Sequence, residues 1–447
     1  MINQDFLDKI RNDFPALERR RNNKPPVYLD SACTTLVPNQ VITALNQYYT
    51  NYPACGGMRS SHWFAEEVAQ LIEGNAESGI IGARRAIAEF INARSEQEII
   101  FTLNTSHAIN MVALGFSFKQ GDVVLLTGRE HNSNLVPWLR LQKAGLIKVA
   151  HTEADPEDSF NLEAYEHFLK VNRVRLVSMA YTSNVTGVTL PVKEITTIAH
   201  RYGALVLLDG AQAVPHQAVD VRALDVDFLA FSIHKMCGPR GVGVLYAKSE
   251  LIGREGENRE AGDAFVEPVI VGGGIIRNST YDSYHFKRGS AGFETGIQNY
   301  AGIIASGAAV NYLLQMGMDR IDAHEKFLNN YLTEKLLSRY GDTGWFTILG
   351  PKEANQRGGI LTFIVRRPNA VGIAKELSSK NNIMIRDGTF CAHSYFNELL
   401  GADWEHPKSH REHQMAYRVS FYLYNTLGEC DIFLDTLNEI FTERSYI

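Results

Sequence analysis

The chain has 447 residues, more than one average domain and enough for two. Hydrophobic residues make up 45 % and charged residues 21 %, a balance that allows a sizeable core, and a formal net charge of -6 with no basic stripe removes the electrostatic basis for nucleic-acid binding. The five cysteines (Cys33, Cys55, Cys237, Cys391, Cys430) are odd in number, scattered and free of any CxxC pair, which argues against a disulfide framework or a zinc site.

The opening segment, MINQDFLDKIRNDFPALERR, reads as an amphipathic helix and not as a secretion signal, and no later stretch is long and apolar enough to span a bilayer. With five free thiols, the expectation is a cytoplasmic protein. After a loop at Lys24, Pro25 and Pro26, the spacing predicts a strand at Glu98–Thr102 and a helix from Ser106. Strands follow at Val123–Thr127 and Val174–Tyr181, then a helix at Val192–Tyr202 with Gly203 placed as its cap. Further strands fall at Ala204–Asp209, Asp227–Ser232 and Gly243–Ala247. Several of these runs are almost wholly apolar, as strands covered on both faces are, so the expected fold is α/β with a mainly parallel sheet between helix layers.

Residues 250–290 are Gly-rich and read as an irregular loop near a site or interface. A long helix, about Asn299–Met316, leads to a smaller α+β domain. A further helix comes first, then strands at Phe346–Leu349 and Ile360–Val365, a helix at Val371–Ser379, and strands at Ile383–Arg386 and Tyr417–Phe421. A helix at Glu429–Phe441 closes the chain. The expected division is residues 1–27 as an N-terminal segment packing on the small domain, 28–300 as the large domain, and 301–447 as the small domain with its linking helix.

Two polar clusters follow two apolar strands directly: Asp209-Gly210-Ala211-Gln212 and Ser232-Ile233-His234-Lys235. Ligands of open α/β sheets bind at the carboxyl ends of strands, which places both clusters in one crevice. Pyridoxal 5′-phosphate (PLP) asks for this set. Its aldehyde needs an amine, here Lys235, and its pyridine nitrogen stays protonated beside a buried carboxylate, here Asp209. Its phosphate needs hydroxyl, imidazole and N–H donors, offered by Ser232, His234 and the helix start at Thr105-Ser106. Gly238, Gly241 and Gly243 permit close packing behind the lysine. Alone, an Asp after a strand is usually a helix cap and a lone Lys is surface; the pair carries the reading.

YLDSACTT (Tyr28–Thr35), Asn104–His107, EHNSNLVPW (Glu130–Trp138), SNVTG (Ser183–Gly187), DGAQ, SIHK, FETG (Phe293–Gly296) and RVSFYLYNT (Arg418–Thr426) resemble the class V aminotransferase group of PLP enzymes. Within it they look closest to group II cysteine desulfurases and selenocysteine lyases. The resemblance covers Tyr28 to Phe441 and implies fold type I and a homodimer with sites near its interface. It also implies an amino-acid substrate and a protein sulfur acceptor, with no nucleic acid, membrane or metal partner. Residue by residue, it implies that His131 stacks on the cofactor ring, and that Asn184 and Gln212 lie at its phenolic oxygen. Thr105, Ser106, Ser232 and His234 would hold phosphate. Arg418 and Asn184 would meet the substrate carboxylate, and Arg386, Arg59 and His62 the entrance. Cys391, in IRDGTFCAH (Ile385–His393), matches an Arg-x-Gly-x-x-Cys-Ala pattern whose thiolate takes sulfur from cysteine (or selenium from selenocysteine) as a persulfide, leaving alanine. Lys235, once freed, would remove the Cα proton. Cationic neighbours favour a thiolate, and Arg386 and His393 are close to Cys391 in sequence. Cys33, Cys55, Cys237 and Cys430 read as small packed hydrophobes, with Cys55 near the expected entrance.

The chain departs from that pattern at four places. Thr389-Phe390 stand where the family has histidines, a long segment His393–Gln414 precedes the Arg418 strand, Ser106-His107 replaces Thr-Glu, and Ile297 replaces a hydroxyl that reaches the neighbouring subunit's phosphate. His107 either touches the ring region or starts a helix. Two other readings stay open at this point: a class V aminotransferase, epimerase or C–S lyase in which Cys391 is not the nucleophile, and a non-catalytic sulfur-transfer scaffold.

Overall fold

The computed structural model describes residues 2–56, 60–152, 159–253, 265–400 and 414–447. Its strands are β1 (Val27–Tyr28), β2 (Ile99–Thr102), β3 (Asp122–Thr127), β4 (Ile147–Thr152), β5 (Val174–Ala180), β6 (Leu205–Asp209), β7 (Phe228–Ser232) and β8 (Gly243–Ala247). They continue with β9 (Ile276–Ser279), β10 (Tyr284–Phe286), β11 (Phe346–Ile348), β12 (Ile360–Val365), β13 (Ile383–Met384), β14 (Arg386–Asp387) and β15 (Met415–Ser420).

Seven strands form the main sheet in the order β2-β8-β7-β6-β5-β3-β4. Every pair from β7 to β4 is parallel, while β8 runs antiparallel to both its neighbours. Alternate residues of one strand enter different cores. On β7, Leu229 and Phe231 join one cluster, and Phe228 and Ala230 join the other. The sheet is thus covered on both faces, which is why its strands read as continuous apolar runs. The α/β expectation with a mainly parallel sheet holds.

A second sheet, β11-β12-β15-β14, is antiparallel throughout. It packs with helices Met318–Tyr340 and Leu427–Glu443 around Leu332, Phe363, Tyr417 and Phe433. The N-terminal helix Gln4–Asn12 sends Arg11 to Glu429 (2.9 Å), and Phe14 meets Tyr312 and Tyr424 edge-on. Among the described residues, no helix is long and apolar enough to cross a membrane.

Two expectations need correction, and one strand goes beyond them. The strand foreseen at Ile383–Arg386 is two: β13 pairs in parallel with β1, whereas β14 pairs with β15. The 250–290 stretch contains an antiparallel hairpin, β9–β10, whose register shifts between His285 and Phe286; the described part is therefore not all loop. The edge strand β4 escaped notice because its sequence, IKVAHT, mixes polar and apolar residues and lies half exposed.

Candidate active site

The carboxyl ends of β5, β6 and β7 share one edge of the sheet, where Ala180 pairs with Asp209 and Asp209 with Ala230. Since β8 runs the other way, its first residue, Gly243, lies at this edge opposite both Ser232 and Thr102. β2 therefore also ends here, and the helix Thr105–Gly115 starts beside the β7 end. A Cβ on Gly243 would sit 2.5 Å from the Asn104 Cα, so glycine is what lets that helix start approach. The turn after β3 adds His131 at the cap of helix Asn132–Lys143. These ends surround a cavity of about 310 Å³ that is lined by Lys235, Asp209, His131, Arg418 and Cys391 among others.

Lys235 ends a short helical turn, Ile233–Lys235, directly after β7. The Thr34 hydroxyl and the Thr35 N–H both donate to the His234 carbonyl at 3.0 Å, so the YLDSACTT segment pins this turn. Burial lowers the Lys235 amine to about 8, against the pull of Asp209 and with a further push from Arg418. Asp209 is 6 % exposed and accepts from the Ala211 N–H at 3.0 Å. Burial nevertheless raises its carboxyl above the usual carboxylate range, and Lys235 only partly offsets this. A cationic N–H seated against it would supply the missing partner. His131 accepts the Ser133 N–H at Nδ1 (3.1 Å), which leaves Nε2 for the cavity. Burial, reinforced by Lys235, Arg418 and His393, lowers it to about 4 and keeps the ring neutral at pH 7. His234 is lowered to about 4 by burial and by Lys235.

The expected phosphate-binding residues are brought together. The Thr105 N–H and hydroxyl meet the Ser232 hydroxyl at 2.8 and 2.6 Å, and the Ser106 hydroxyl meets that of Ser133 at 2.6 Å. All line the cavity with His234, beside the amino end of an eleven-residue helix. Gln212 gives one N–H to the Ala32 carbonyl (2.7 Å), while its Oε1 is buried without a partner. An amine, an under-partnered carboxylate, a neutral imidazole and a donor-rich helix start at one cavity fit PLP. Lys235 would bind the aldehyde, Asp209 the ring nitrogen, and the Thr105–Ser232 cluster the phosphate.

The second sheet supplies the other wall. β14 and β15 place Arg386 opposite Arg418, two like charges on neighbouring strands. Arg418 is 3 % exposed. It donates to the Asn184 carbonyl (3.0 Å), reaches Asp30 only at 3.4 Å, and lies over the Phe390 ring at 4.9 Å, while its Nε is buried without a partner. Asn184 donates its amide to the Phe390 carbonyl (2.8 Å). Cys391 is exposed in a loop where Phe390 and Cys391 both take positive φ (48° and 59°). The Asn132 N–H anchors that loop by donating to the Cys391 carbonyl at 2.7 Å.

One expected entrance residue, His62, does not line this cavity among the described residues. His62 instead caps helix Trp63–Glu73, accepting the Ala65 N–H at 3.4 Å, and Arg59 lies outside the described residues. Nor does His107 reach the ring region: its Nδ1 accepts the Leu103 N–H (3.1 Å) in the first turn of its helix. Arg386 does line the cavity, but its Nη1 lies 3.1 Å from the Cys33 sulfur. Cys33 is thus a cavity residue, contrary to the bland reading; the signal was its place inside YLDSACTT. Sequence reasoning also passed over Glu130. Its carboxyl holds Thr127 (2.6 Å), Asn134 (2.7 Å) and the Ala180 N–H (3.0 Å), fixing the turn that carries His131.

A half-buried lysine and a buried aspartate at the carboxyl edge of such a sheet define a PLP-type site, and a family model described as Aminotransferase class-V matches residues 27–433; the chain belongs to that family. It is 36 % identical over 431 residues, 95 % of each chain, to a probable cysteine desulfurase of Halalkalibacterium halodurans. The apo structure of a cysteine desulfurase from Thermococcus onnurineus matches with a TM-score of 0.84 at 31 % identity, covering 97 % of each chain. The Escherichia coli cysteine desulfurase CsdA matches with a TM-score of 0.80 at 27 % identity, covering 97 % of this chain and 98 % of that one.

An amine attacks an aldehyde only when neutral, and Lys235 is lowered to about 8. Reconstitution of the apoprotein with PLP, followed by absorbance at the violet edge of the visible, should quicken as pH rises towards 8 and level off above it. A rate still climbing steeply near pH 10 contradicts the depressed amine.

Proposed function

We propose that this protein is a PLP-dependent cysteine desulfurase that converts L-cysteine to alanine and takes the sulfur on Cys391 as a persulfide. The observation that carries this reading is one cavity lined by Lys235, Asp209, Arg418 and Cys391. The same assignment stands in the names of the relatives that span nearly the whole chain.

PLP, when bound, supplies an electron sink for bond breaking at the substrate carbons. The chain's own residues do the rest. Arg418 is a buried guanidinium with an idle Nε and a distant carboxylate, so an incoming α-carboxylate gains a charge-assisted partner there. Lys235, with its lowered amine, takes the Cα proton. Asp209 offers its carboxyl to a cationic N–H in the cavity, and neutral His131, whose Nδ1 accepts the Ser133 N–H, presents its Nε2–H there as a donor. The Cys391 thiolate attacks the substrate sulfur: an S–S bond forms as the C–S bond breaks, with its electron pair left on carbon. The departures before Cys391 leave the nucleophile on a loop whose carbonyls accept from the Asn132 main-chain N–H and the Asn184 side-chain amide.

The exposure of Cys391 suits delivery to a protein acceptor. A homodimer is supported by Ile270, Val271 and Ile297, each more than half exposed on the segments around the hairpin. The free thiols suit a reducing cytoplasm.

Cys391→Ala should retain the PLP absorbance yet lose alanine and sulfide formation from L-cysteine by at least roughly a hundredfold. Unchanged turnover would reject Cys391 as nucleophile. Arg418→Ala should raise KM for L-cysteine by roughly 10- to 100-fold, as expected for the loss of a charge-assisted pair of about 1.5–3 kcal/mol, with the absorbance kept. An unaltered KM would move the carboxylate site elsewhere. Light scattering should read twice the chain mass; a monomer at micromolar concentration would remove the dimer.

A further inference from the structure

Cys33 and Cys391 come from opposite ends of the chain but line the same cavity. Neither sits on a loose segment. The Cys33 N–H donates to the Asp30 carbonyl (3.1 Å), the neighbouring Thr34 and Thr35 are tied to the Lys235 turn, and His234 bonds to the Cys33 backbone. The Cys391 carbonyl is tied to Asn132 (2.7 Å). Both sulfurs act electrostatically on Lys235, and Cys33 acts on Arg418 as well. The two differ in surroundings. Cys391 is exposed, whereas Cys33 is half-buried with the Arg386 guanidinium 3.1 Å from its sulfur. A guanidinium so placed steadies an anionic sulfur during exchange.

We infer that Cys33 is a second sulfur-carrying thiol of this site, exchanging the persulfide sulfur with Cys391 inside the cavity. The inference rests on Cys391 being the first acceptor. The Cys33 thiolate attacks the outer sulfur of the Cys391 persulfide. A new S–S bond forms at Cys33, the old one breaks, and its electron pair stays on the Cys391 sulfur. The number of sulfane sulfurs is unchanged, so neither oxidant nor reductant enters. Cys391 is then free to accept from a second cysteine, and the half-buried Cys33 stores sulfur away from solvent.

The test is an anaerobic incubation of the PLP-loaded enzyme with L-cysteine and no reductant, followed by alkylation and peptide mass spectrometry. Wild type should carry persulfide on both the Cys33 and Cys391 peptides, with roughly two alanines formed per chain. Cys33→Ser and Cys33→Ala, each with its PLP absorbance checked as a sign of an intact fold, should label Cys391 alone and form roughly half as much alanine. In Cys391→Ser neither peptide should be labelled. Wild-type label confined to Cys391, or a disulfide joining the two peptides, overturns the inference. Label on Cys33 in Cys391→Ser would instead overturn Cys391 as first acceptor, and the exchange with it.

Discussion

Desolvation of Asp209 and Lys235 is the constraint on which the site depends. Asp209 ends β6 and Lys235 ends the turn that follows β7, both strands being buried on both faces, and burial moves their protonation in opposite senses, the acid upward and the amine downward. Their mutual attraction does not cancel either shift. The arrangement is stable because the two strands are adjacent members of a parallel pair, β6 and β7, whose apolar residues fill both cores. It is reactive because the pair is left incompletely satisfied. A ring that presents an N–H to the acid and a carbonyl to the amine relieves both at once, so cofactor binding and fold stability draw on the same two side chains.

The second sheet matters because it brings cations to that pair. Its β15 strand is anchored by β12 across six residue pairs, and Arg418 lies within that ladder opposite Thr362. The arginine cannot withdraw to solvent as a surface side chain would. Facing Arg386 across β14, it also cannot be neutralised locally, and Asp30 at 3.4 Å is a weak partner. A buried cation of this kind is costly unless an anion arrives.

How much of this was legible in the sequence follows from what each element exposes. The strands bearing Asp209 and Lys235 announced themselves because burial on both faces demands unbroken apolar runs, and the polar clusters behind them marked the strand ends. The edge strand IKVAHT has one neighbour and half-exposed faces, so no such demand shaped it. The break between Met384 and Arg386 was hidden because the chain stays extended while changing partners, from β1 to β15. His62, expected at the entrance, and His107, left between the ring region and a helix start, each sit where a helix begins and accept a main-chain N–H at Nδ1 there. Cys33 shows the opposite failure. A cysteine in an apolar-looking motif resembles a packed residue until the fold puts Arg386, distant by hundreds of positions, against its sulfur.

The loop of Cys391 is held by residues of both sheets' surroundings. Two successive non-glycine residues in the left-handed region cost free energy, of order 1–3 kcal/mol each in strained settings, and persist only where the surroundings over-determine them. Here they do. The Asn184 amide holds the Phe390 carbonyl, the Asn132 N–H holds the Cys391 carbonyl, and Phe390 is pressed between the Arg418 guanidinium and Phe396. Asn184 lies in the segment after β5, and Asn132 opens the helix after β3 that His131 caps. The loops of the seven-stranded sheet therefore set the conformation of a thiol that lies beside the second sheet. A thiol held this way needs no histidine before it in sequence to fix its position: Thr389 and Phe390 can stand there because the loop is held from the Asn132 and Asn184 segments.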